Sequence, residues 1–304
     1  MKKTFGVVGD DKRAAELVRL LRRDGYAVSA YGANLSDDEK RGLMPANQDN
    51  GVTLTDDANG ANGVTLENNL ESALNADAVI LPVPLCKPDG TLNCSGAELP
   101  VTEMLSGFRQ NQTVFAGLIP PEIARQARET GLSLIDYMKH EPMAIANAAA
   151  TADAALAVTL EETREPLTGK RCLILGFGRI GKLMCQRLRG VGADVTAAAR
   201  NPDDRAWIRA FGLSALDTAE LAGCLSGFQM VCNTIPAPVL DADALRELPP
   251  DCFLLDLASS PGMDGDAAAR FGLRFVWARG LPGRIVPRGA AAILRDTALH
   301  FLKE

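Results

Sequence analysis

The run Gly176-Phe177-Gly178-Arg179-Ile180-Gly181 constrains this chain more than any other feature. It fits the spacing G-x-G-x-x-G. It stands directly after the apolar run Arg171-Cys172-Leu173-Ile174-Leu175 and opens a stretch with helical spacing. In that context the first glycine permits a tight strand-to-helix turn. The second lets the backbone approach a pyrophosphate, and the third lets helix and strand pack closely. The helix N-terminus adds N–H donors and the positive end of a dipole. Gly176, Phe177, Gly178, Arg179, Ile180 and Gly181 are therefore candidate dinucleotide-binding residues, with a glycine-rich turn that binds nothing as the alternative.

The end of the next strand, Asp194 to Ala199, bears on which dinucleotide. It reads Ala198-Ala199-Arg200-Asn201, with no acid before Asp203. A carboxylate there would bind a ribose 2′-hydroxyl and repel a 2′-phosphate, whereas a guanidinium can fork onto the phosphate. Arg200 therefore favours NADP over NAD. The alternative is an ordinary exposed arginine and a site that accepts both. Asn233-Thr234-Ile235-Pro236 follows a later buried strand at its carboxyl end, where ligands of open parallel sheets sit. Asn233, Thr234 and Pro236 are added to the cofactor candidates. Asp256 to Gly262 and Gly280-Leu281-Pro282-Gly283 take the equivalent places after the next two strands, with plain turn chemistry as the alternative.

Around these motifs the chain makes two passes of alternating strand and helix, which implies two doubly wound parallel-sheet, Rossmann-like domains. In the first pass, strands are expected at Thr4 to Gly9, Tyr26 to Tyr31, Asp77 to Pro82, Thr113 to Leu118 and Leu132 to Tyr137. Ala14, Leu17, Val18 and Leu21 mark a helix ended by Gly25, and Pro120-Pro121 starts another. An alanine-rich helix from about His140 to Glu162 joins the halves. The second pass has helices at Arg179 to Val191, Asp203 to Phe211, Asp217 to Leu225, Ala242 to Leu248 and Asp266 to Phe271, with strands between. The boundaries read 1–140, linker helix 141–165, nucleotide-binding domain 166–286, and a C-terminal helix 287–304 packing back on the first domain. Asn50-Gly51-Val52-Thr53-Leu54 recurs as Asn62-Gly63-Val64-Thr65-Leu66. Two copies do not make a solenoid, and a surface insertion with two turns is the expectation.

Composition narrows the function class. A length of 304 residues suits about two domains. The net charge is −6 and no long basic run occurs, which argues against nucleic acid or an anionic membrane as a partner. Met143 to Leu160 is weakly charged but alanine-rich, a better helix than membrane span. Seven scattered cysteines without C-x-x-C spacing read as reduced thiols, and a cytoplasmic location is expected. With only His140 and His300, a histidine-rich zinc site is excluded and no metal is expected.

Motifs along almost the whole chain resemble the dipicolinate synthase family of spore-forming bacteria, in its A subunit. They are Gly9-Asp10-Asp11-Lys12-Arg13, Ile80-Leu81-Pro82-Val83-Pro84, Glu141 with Asn147, the dinucleotide loop, Asn233-Thr234-Ile235-Pro236, Leu255-Asp256-Leu257-Ala258-Ser259, and Gly280-Leu281-Pro282-Gly283 with Pro287. Thr151-Ala152-Asp153-Ala154 departs from the family pattern, as does Arg288 where the family has lysine.

The resemblance implies NADP-linked dehydrogenation of dihydrodipicolinate, or its hydroxytetrahydro precursor, to dipicolinate during sporulation. It also implies a flavoprotein-like partner, the B subunit of that synthase. A dicarboxylate substrate needs cationic or N–H donors, for which Arg13 and Arg288 are candidates, with Ser259, Gly280, Leu281, Pro282 and Gly283 lining the site. A solvated helix-start arginine is the alternative for each. For the proton acceptor, Glu141, His140 and Asp256 are candidates, and Glu141 reads equally as a cap of the linker helix. Asn147 reads as a catalytic hydrogen-bonding group or as glue between domains. A homo-oligomer is expected from the architecture alone. Two rivals stand beside this reading: a 2-hydroxy-acid or alanine dehydrogenase, and a catalytically silent NADP-binding subunit.

Overall fold

The computed structural model describes residues 3–33, 53–54, 64–66, 70–110 and 112–303. The chain divides into two compact units, residues 1–144 with 286–304 and residues 145–285. The division falls inside the long helix and leaves no separate linker domain.

In unit 1 the elements are β1 (Phe5–Val8), α1 (Lys12–Arg23), β2 (Val28–Tyr31), β3 (Thr53–Leu54), β4 (Val64–Leu66), α2 (Leu70–Leu74), β5 (Ala78–Ile80), α3 (Val101–Ser106), β6 (Thr113–Ala116), α4 (Pro121–Glu129) and β7 (Ser133–Asp136). The sheet order is β3-β4-β2-β1-β5-β6-β7, parallel except for β3 against β4. All four residues of β1 are buried, so it reads as a continuous apolar run, as a strand covered on both faces must. Chain order reverses at β1: β2 lies on one side and β5 on the other. Helices α2 and α3 are short elements that the hydrophobic periodicity did not resolve.

The repeated pentapeptide is not simply a surface insertion. Its strand residues pair with each other, Thr53 opposite Thr65 and Leu54 opposite Val64, and the second copy adds in parallel to β2. The turns expected between the copies lie outside the described residues.

Helix α5 (Glu141–Thr163) passes from unit 1 into unit 2. It is long and apolar enough to meet a length-and-composition test for a membrane span, but half of that window is buried within the protein. Thr151, Thr159 and Thr163 return their hydroxyls to carbonyls one turn back, at 2.8 Å each, which removes their polar cost.

Unit 2 continues with β8 (Arg171–Leu175), α6 (Arg179–Gly190), β9 (Asp194–Ala198), α7 (Pro202–Ala210), β10 (Ser214–Leu216), β11 (Met230–Asn233), α8 (Ala242–Arg246), β12 (Phe253–Asp256), α9 (Gly265–Arg270), β13 (Arg274–Trp277) and α10 (Leu281–Ile285). Its sheet is fully parallel in the order β10-β9-β8-β11-β12-β13. The helix expected over Asp217 to Leu225 does not form. Asp217 accepts the Ala219 N–H at 2.9 Å in an Asx turn, Gly223 has φ +79°, and its N–H goes to the Glu247 carboxylate. Buried Leu221 and Leu225 gave the segment its helical spacing.

The chain then returns to unit 1 as α11 (Pro287–Phe301). Ala291, Leu294 and Ala298 join Leu17, Val18 and Leu21 of α1 in one core, and Arg295 pairs with Asp24 at 3.2 Å. His140 and His300, far apart in sequence, stack with centroids 5.3 Å apart, and the Phe301 ring edges onto His140.

All seven cysteines are free thiols. Burial pushes Cys172, Cys185 and Cys252 up to about 12 and Cys94 to about 11. Cys224 is exposed.

Two outcomes test this packing. Leu294→Ala, at a residue 6% exposed, should lower unfolding stability in urea by about 2–4 kcal/mol, whereas Leu160→Ala, at 44%, should change it by under about 0.5. A disulfide reagent at pH 8 should react with Cys224 in a fast phase that Cys224→Ser abolishes, half-buried Cys86 reacting more slowly and the buried thiols only on denaturation.

Candidate functional site

The glycine-rich turn joins β8 to α6 at the point where the order of the unit 2 sheet reverses, β9 lying on one side of β8 and β11 on the other. A crevice opens at such a point because the two flanking connections run to opposite faces. Gly176 has φ +95°, and a Cβ there would lie 2.5 Å from Thr234 Oγ1. A Cβ on Gly181 would lie 2.1 Å from the Gly176 carbonyl oxygen. These two glycines are fixed by the protein's own packing. Gly178 is different: its Cβ would meet nothing within 4 Å. The space beside it is open, and the residue is exposed.

Gly178 is also the N-cap of α6, which has no side-chain cap and no acid in its first turn. The positive end of the helix dipole thus meets no acidic side chain of its own first turn. Phe177 does not face this space. It is 4% exposed, packs 6.1 Å from Phe211 and lies under Lys182 Nζ. The cradle, with its bare N-cap and open space at Gly178, fits a pyrophosphate. Thr234 donates its hydroxyl to the Leu175 carbonyl at 2.9 Å, just before the turn. It acts on the cradle from behind.

On the β9 side, Arg200 is exposed. Asn201 is spent as the N-cap of α7, its Oδ1 accepting from Asp203 N at 3.0 Å. Arg205, which sequence reasoning missed, donates to the carbonyls of Ala199 and Arg200 at 2.9 and 2.7 Å and pairs with Asp217 at 2.7 Å. It shapes the loop that carries Arg200.

On the β11 and β12 side, two expectations are corrected. Asp256 is fully buried, and both its oxygens are committed. Oδ1 accepts from Asn233 Nδ2 and from Ala258 N at 3.0 Å each; Oδ2 accepts from Gly262 N at 2.8 Å. A carboxylate so enclosed has no lone pair turned to a substrate, so Asp256 is not a proton acceptor. Asn233 is buried too. Its amide donates to Asp256 and to the Ile235 carbonyl, and its oxygen accepts from Ile235 N at 2.9 Å. Its side chain therefore shapes the loop and does not meet a cofactor. Pro236 follows in that loop and is exposed, and Ser259 is exposed at the tip of the next.

Gly280-Leu281-Pro282-Gly283 is not an open loop. Gly280 turns at φ +63° and the chain enters α10, with Leu281, Pro282 and Gly283 buried. Three small or apolar residues here serve packing, not substrate contact.

Unit 1 has its own site at the reversal point of its sheet. A cleft of about 120 Å³ opens beyond the carboxyl ends of β1 and β5, lined by Gly9, Asp10, Arg13, Pro82, Asn93 and Tyr137 among others. Asp11 caps α1, its Oδ1 accepting Ala14 N at 2.9 Å, and its Oδ2 holds Arg13 Nη2 at 2.5 Å. The Arg13 side chain is only 14% exposed, so the pair is pinned and not a mobile surface bridge. Asp10 takes both the N–H and the hydroxyl of Ser95, tying the loop of residues 85–97 to the β1 turn. Tyr137, also missed, forms part of the wall. Burial holds its hydroxyl well above the usual range, so it stays a neutral O–H.

The remaining candidates scatter. Glu141 is exposed in the first turn of α5, and Asn147 is half-buried nearly two turns on, its carbonyl accepting from Thr151. Arg288 lies exposed at the start of α11 and does not line the unit 1 cleft. His140 is stacked on His300 with a buried Nδ1 that has no hydrogen-bond partner among the described residues. In the stretch Thr151 to Ala154, Ala152 and Ala154 are fully buried and Asp153 binds Arg187 at 2.6 Å. Among the described residues, no cluster of three His, Cys, Asp or Glu could hold a metal.

Residues 46–138 match the model of the N-terminal domain of the dipicolinate synthase A subunit, and residues 147–270 match that of the D-isomer specific 2-hydroxyacid dehydrogenase NAD-binding domain. The dipicolinate synthase A subunit of Bacillus subtilis (strain 168) is 25% identical, over 99% of this chain and 96% of that protein. The crystal structure of the dipicolinate synthase A subunit from Bacillus halodurans superposes with a TM-score of 0.80 at 26% identity, over 99% of this chain and 98% of that one. An L-alanine dehydrogenase shares the fold, with a TM-score of 0.62 at 15% identity over 97% of this chain and 88% of that one. The resemblance to the dipicolinate synthase A subunit read from the motifs thus holds along the whole chain, and the matches support an NAD(P)-dependent, dehydrogenase-like role.

The cradle makes a paired prediction. Gly178→Ala should leave the melting temperature within about 2 °C yet weaken nicotinamide dinucleotide binding about tenfold or more, because the methyl enters the empty space. Gly181→Ala should lower both, because its methyl meets backbone. Calorimetric titration and thermal melts read the two separately.

Proposed function

We propose that the protein catalyses NADP-linked dehydrogenation of dihydrodipicolinate, or of its hydroxytetrahydro precursor after loss of water, to dipicolinate. The observation that carries this reading is the open, uncapped cradle at Gly178 in a chain similar over its whole length to the dipicolinate synthase A subunit. For the dihydro substrate the balance is simple. One ring C–H bond breaks and its electron pair leaves with the hydrogen; a second ring hydrogen leaves as a proton; the ring becomes aromatic. The dinucleotide, when bound, supplies the hydride acceptor.

The chain's own residues then have four tasks besides. Gly176 to Gly181 hold the pyrophosphate, and Arg200 meets the 2′-phosphate. The lack of an acid between the end of β9 and Asp203 supports NADP over NAD. Arg13, held by Asp11 in the unit 1 cleft, binds a carboxylate of the substrate, its remaining N–H groups forming the fork. Glu141 is the proton acceptor, as Asp256 is enclosed and His140 is stacked.

The similarity implies a partner of the dipicolinate synthase type, its B subunit, and a role in sporulation inside the cytoplasm. The architecture suits a homo-oligomer. The rival of a 2-hydroxy-acid dehydrogenase needs a late catalytic histidine, and His300, exposed in the last turn of the terminal helix, does not suit that role. The rival of a silent binding subunit rests on the divergent stretch Thr151 to Ala154, and activity of the isolated chain separates it from this reading.

The test mixes protein with freshly generated dihydrodipicolinate precursor and NADP+ or NAD+, with and without the partner subunit. Reduced nicotinamide and dipicolinate should appear together, faster with NADP+. Arg13→Lys should raise the substrate KM about tenfold or more, since a point charge cannot replace a fork. Glu141→Gln should lower kcat with dinucleotide binding unchanged, and Arg200→Asp should reverse the NADP preference. No dipicolinate in any combination would sink the assignment.

A further inference from the structure

The loops after β11 and β12 are not independent. Asp256 sits at the end of β12, opposite Asn233 at the end of β11 in the strand register. Its Oδ1 receives the Asn233 amide and the Ala258 N–H, and its Oδ2 the Gly262 N–H. The Gly262 carbonyl in turn accepts from Val239 N and Leu240 N at 2.7 and 3.1 Å. A Cβ on Gly262 would lie 2.4 Å from Asn233 Nδ2 and 2.8 Å from the Ala237 oxygen, so the two loops touch backbone to backbone. From the outer side, Trp277 at the end of β13 donates its indole N–H to the Ala258 carbonyl at 2.9 Å. Ala258 is thus clamped at both its N–H and its carbonyl. Ser259, Ser260 and Pro261 are left exposed at the crest.

This ridge has a definite place relative to the cradle. A dinucleotide centred on the β8–α6 turn lies across the reversal point, one half over β9 and the other over β11 and β12. The β9 side carries Arg200, the mark of the adenosine half. In that pose the ridge would lie under the nicotinamide half.

We propose that Asp256, with Asn233 and Trp277, is a positioning residue for the nicotinamide half of the dinucleotide, acting through the joined loops 233–240 and 256–262 and not as an acid or base. This rests on the nicotinamide dinucleotide reading above. Three donors converge on Asp256, and a carboxylate can accept all of them. An amide at the same position has one oxygen, so at least one of the buried donors would face an NH2 group and the loops would part. The adenosine side, built on β9 and Arg205, shares none of these bonds.

The experiment measures two ligands on the full chain. NADPH reads the whole site, and adenosine 2′,5′-bisphosphate reads the adenosine half alone. Trp277 is one of two tryptophans, so Trp207→Phe, at an exposed position, leaves it as the only indole. Reduced nicotinamide absorbs where indole emits, so bound NADPH should quench Trp277. In Asp256→Asn the NADPH Kd should rise about tenfold or more and the quench per bound ligand should fall, with adenosine 2′,5′-bisphosphate binding unchanged within about twofold. Equal weakening of both ligands, or of neither, overturns the proposal. Should Asp256→Asn fail to fold, Trp277→Phe decides: it removes only the outer clamp, and calorimetry should show weaker NADPH binding with the adenosine fragment unaffected. Wild-type protein that binds no nicotinamide dinucleotide at all overturns the underlying reading as well, an outcome distinct from the other two.

Discussion

The close approach of the first turn of α6 to the β8 turn is the constraint on which unit 2 depends. Gly181 lies over the Gly176 carbonyl at a separation that admits no side chain, so helix and strand meet backbone to backbone. That contact aims the N-terminus of α6 along the crevice at the carboxyl edge of the sheet. Thr234, just after β11, secures the same turn through the Leu175 carbonyl. The dipole, the open space at Gly178 and the flanking loops all take their direction from it.

Unit 1 reaches a comparable arrangement by different chemistry. Its reversal point also lies beyond its first strand, at Gly9-Asp10-Asp11, but here the helix is capped by Asp11 and the anion site is already met by a carboxylate. Asp11 then spends its second oxygen on Arg13. The result is a fixed cation at the mouth of a small cleft, where unit 2 has an uncapped helix end. One unit leaves backbone N–H groups uncapped at its turn, and the other places a guanidinium beside its capping carboxylate.

Burial separates two carboxylates that the linear sequence left alike. Asp256 and Glu141 both stood as acids near a site in the linear sequence. Asp256 is fully buried, with both its oxygens accepting buried N–H groups. Glu141 stays at the solvent-facing surface of a helix end. The same chemical group is buried among N–H donors at the sheet edge in one place and exposed at a helix start in the other.

The strand–helix alternation, the glycine turn and the absence of an acid after β9 were all legible in the residues, because each depends on neighbours within a few positions. Phe177 inside the motif, the enclosed Asp256 and Asn233, the buried Leu281 to Gly283 turn, and the helix that fails at Asp217 were not. Local spacing cannot show what a side chain meets across the sheet. Pairings such as Asp256 with Gly262 or Trp277 with Ala258 arise where separate connections converge at one sheet edge. Nor does the spacing of His140 and His300 hint that their rings stack. The sequence by itself determined which segments become most of the strands and helices and where a dinucleotide turn stands. Only the tertiary structure decided which polar groups remain for a ligand, since burial and long-range hydrogen bonds consume the rest.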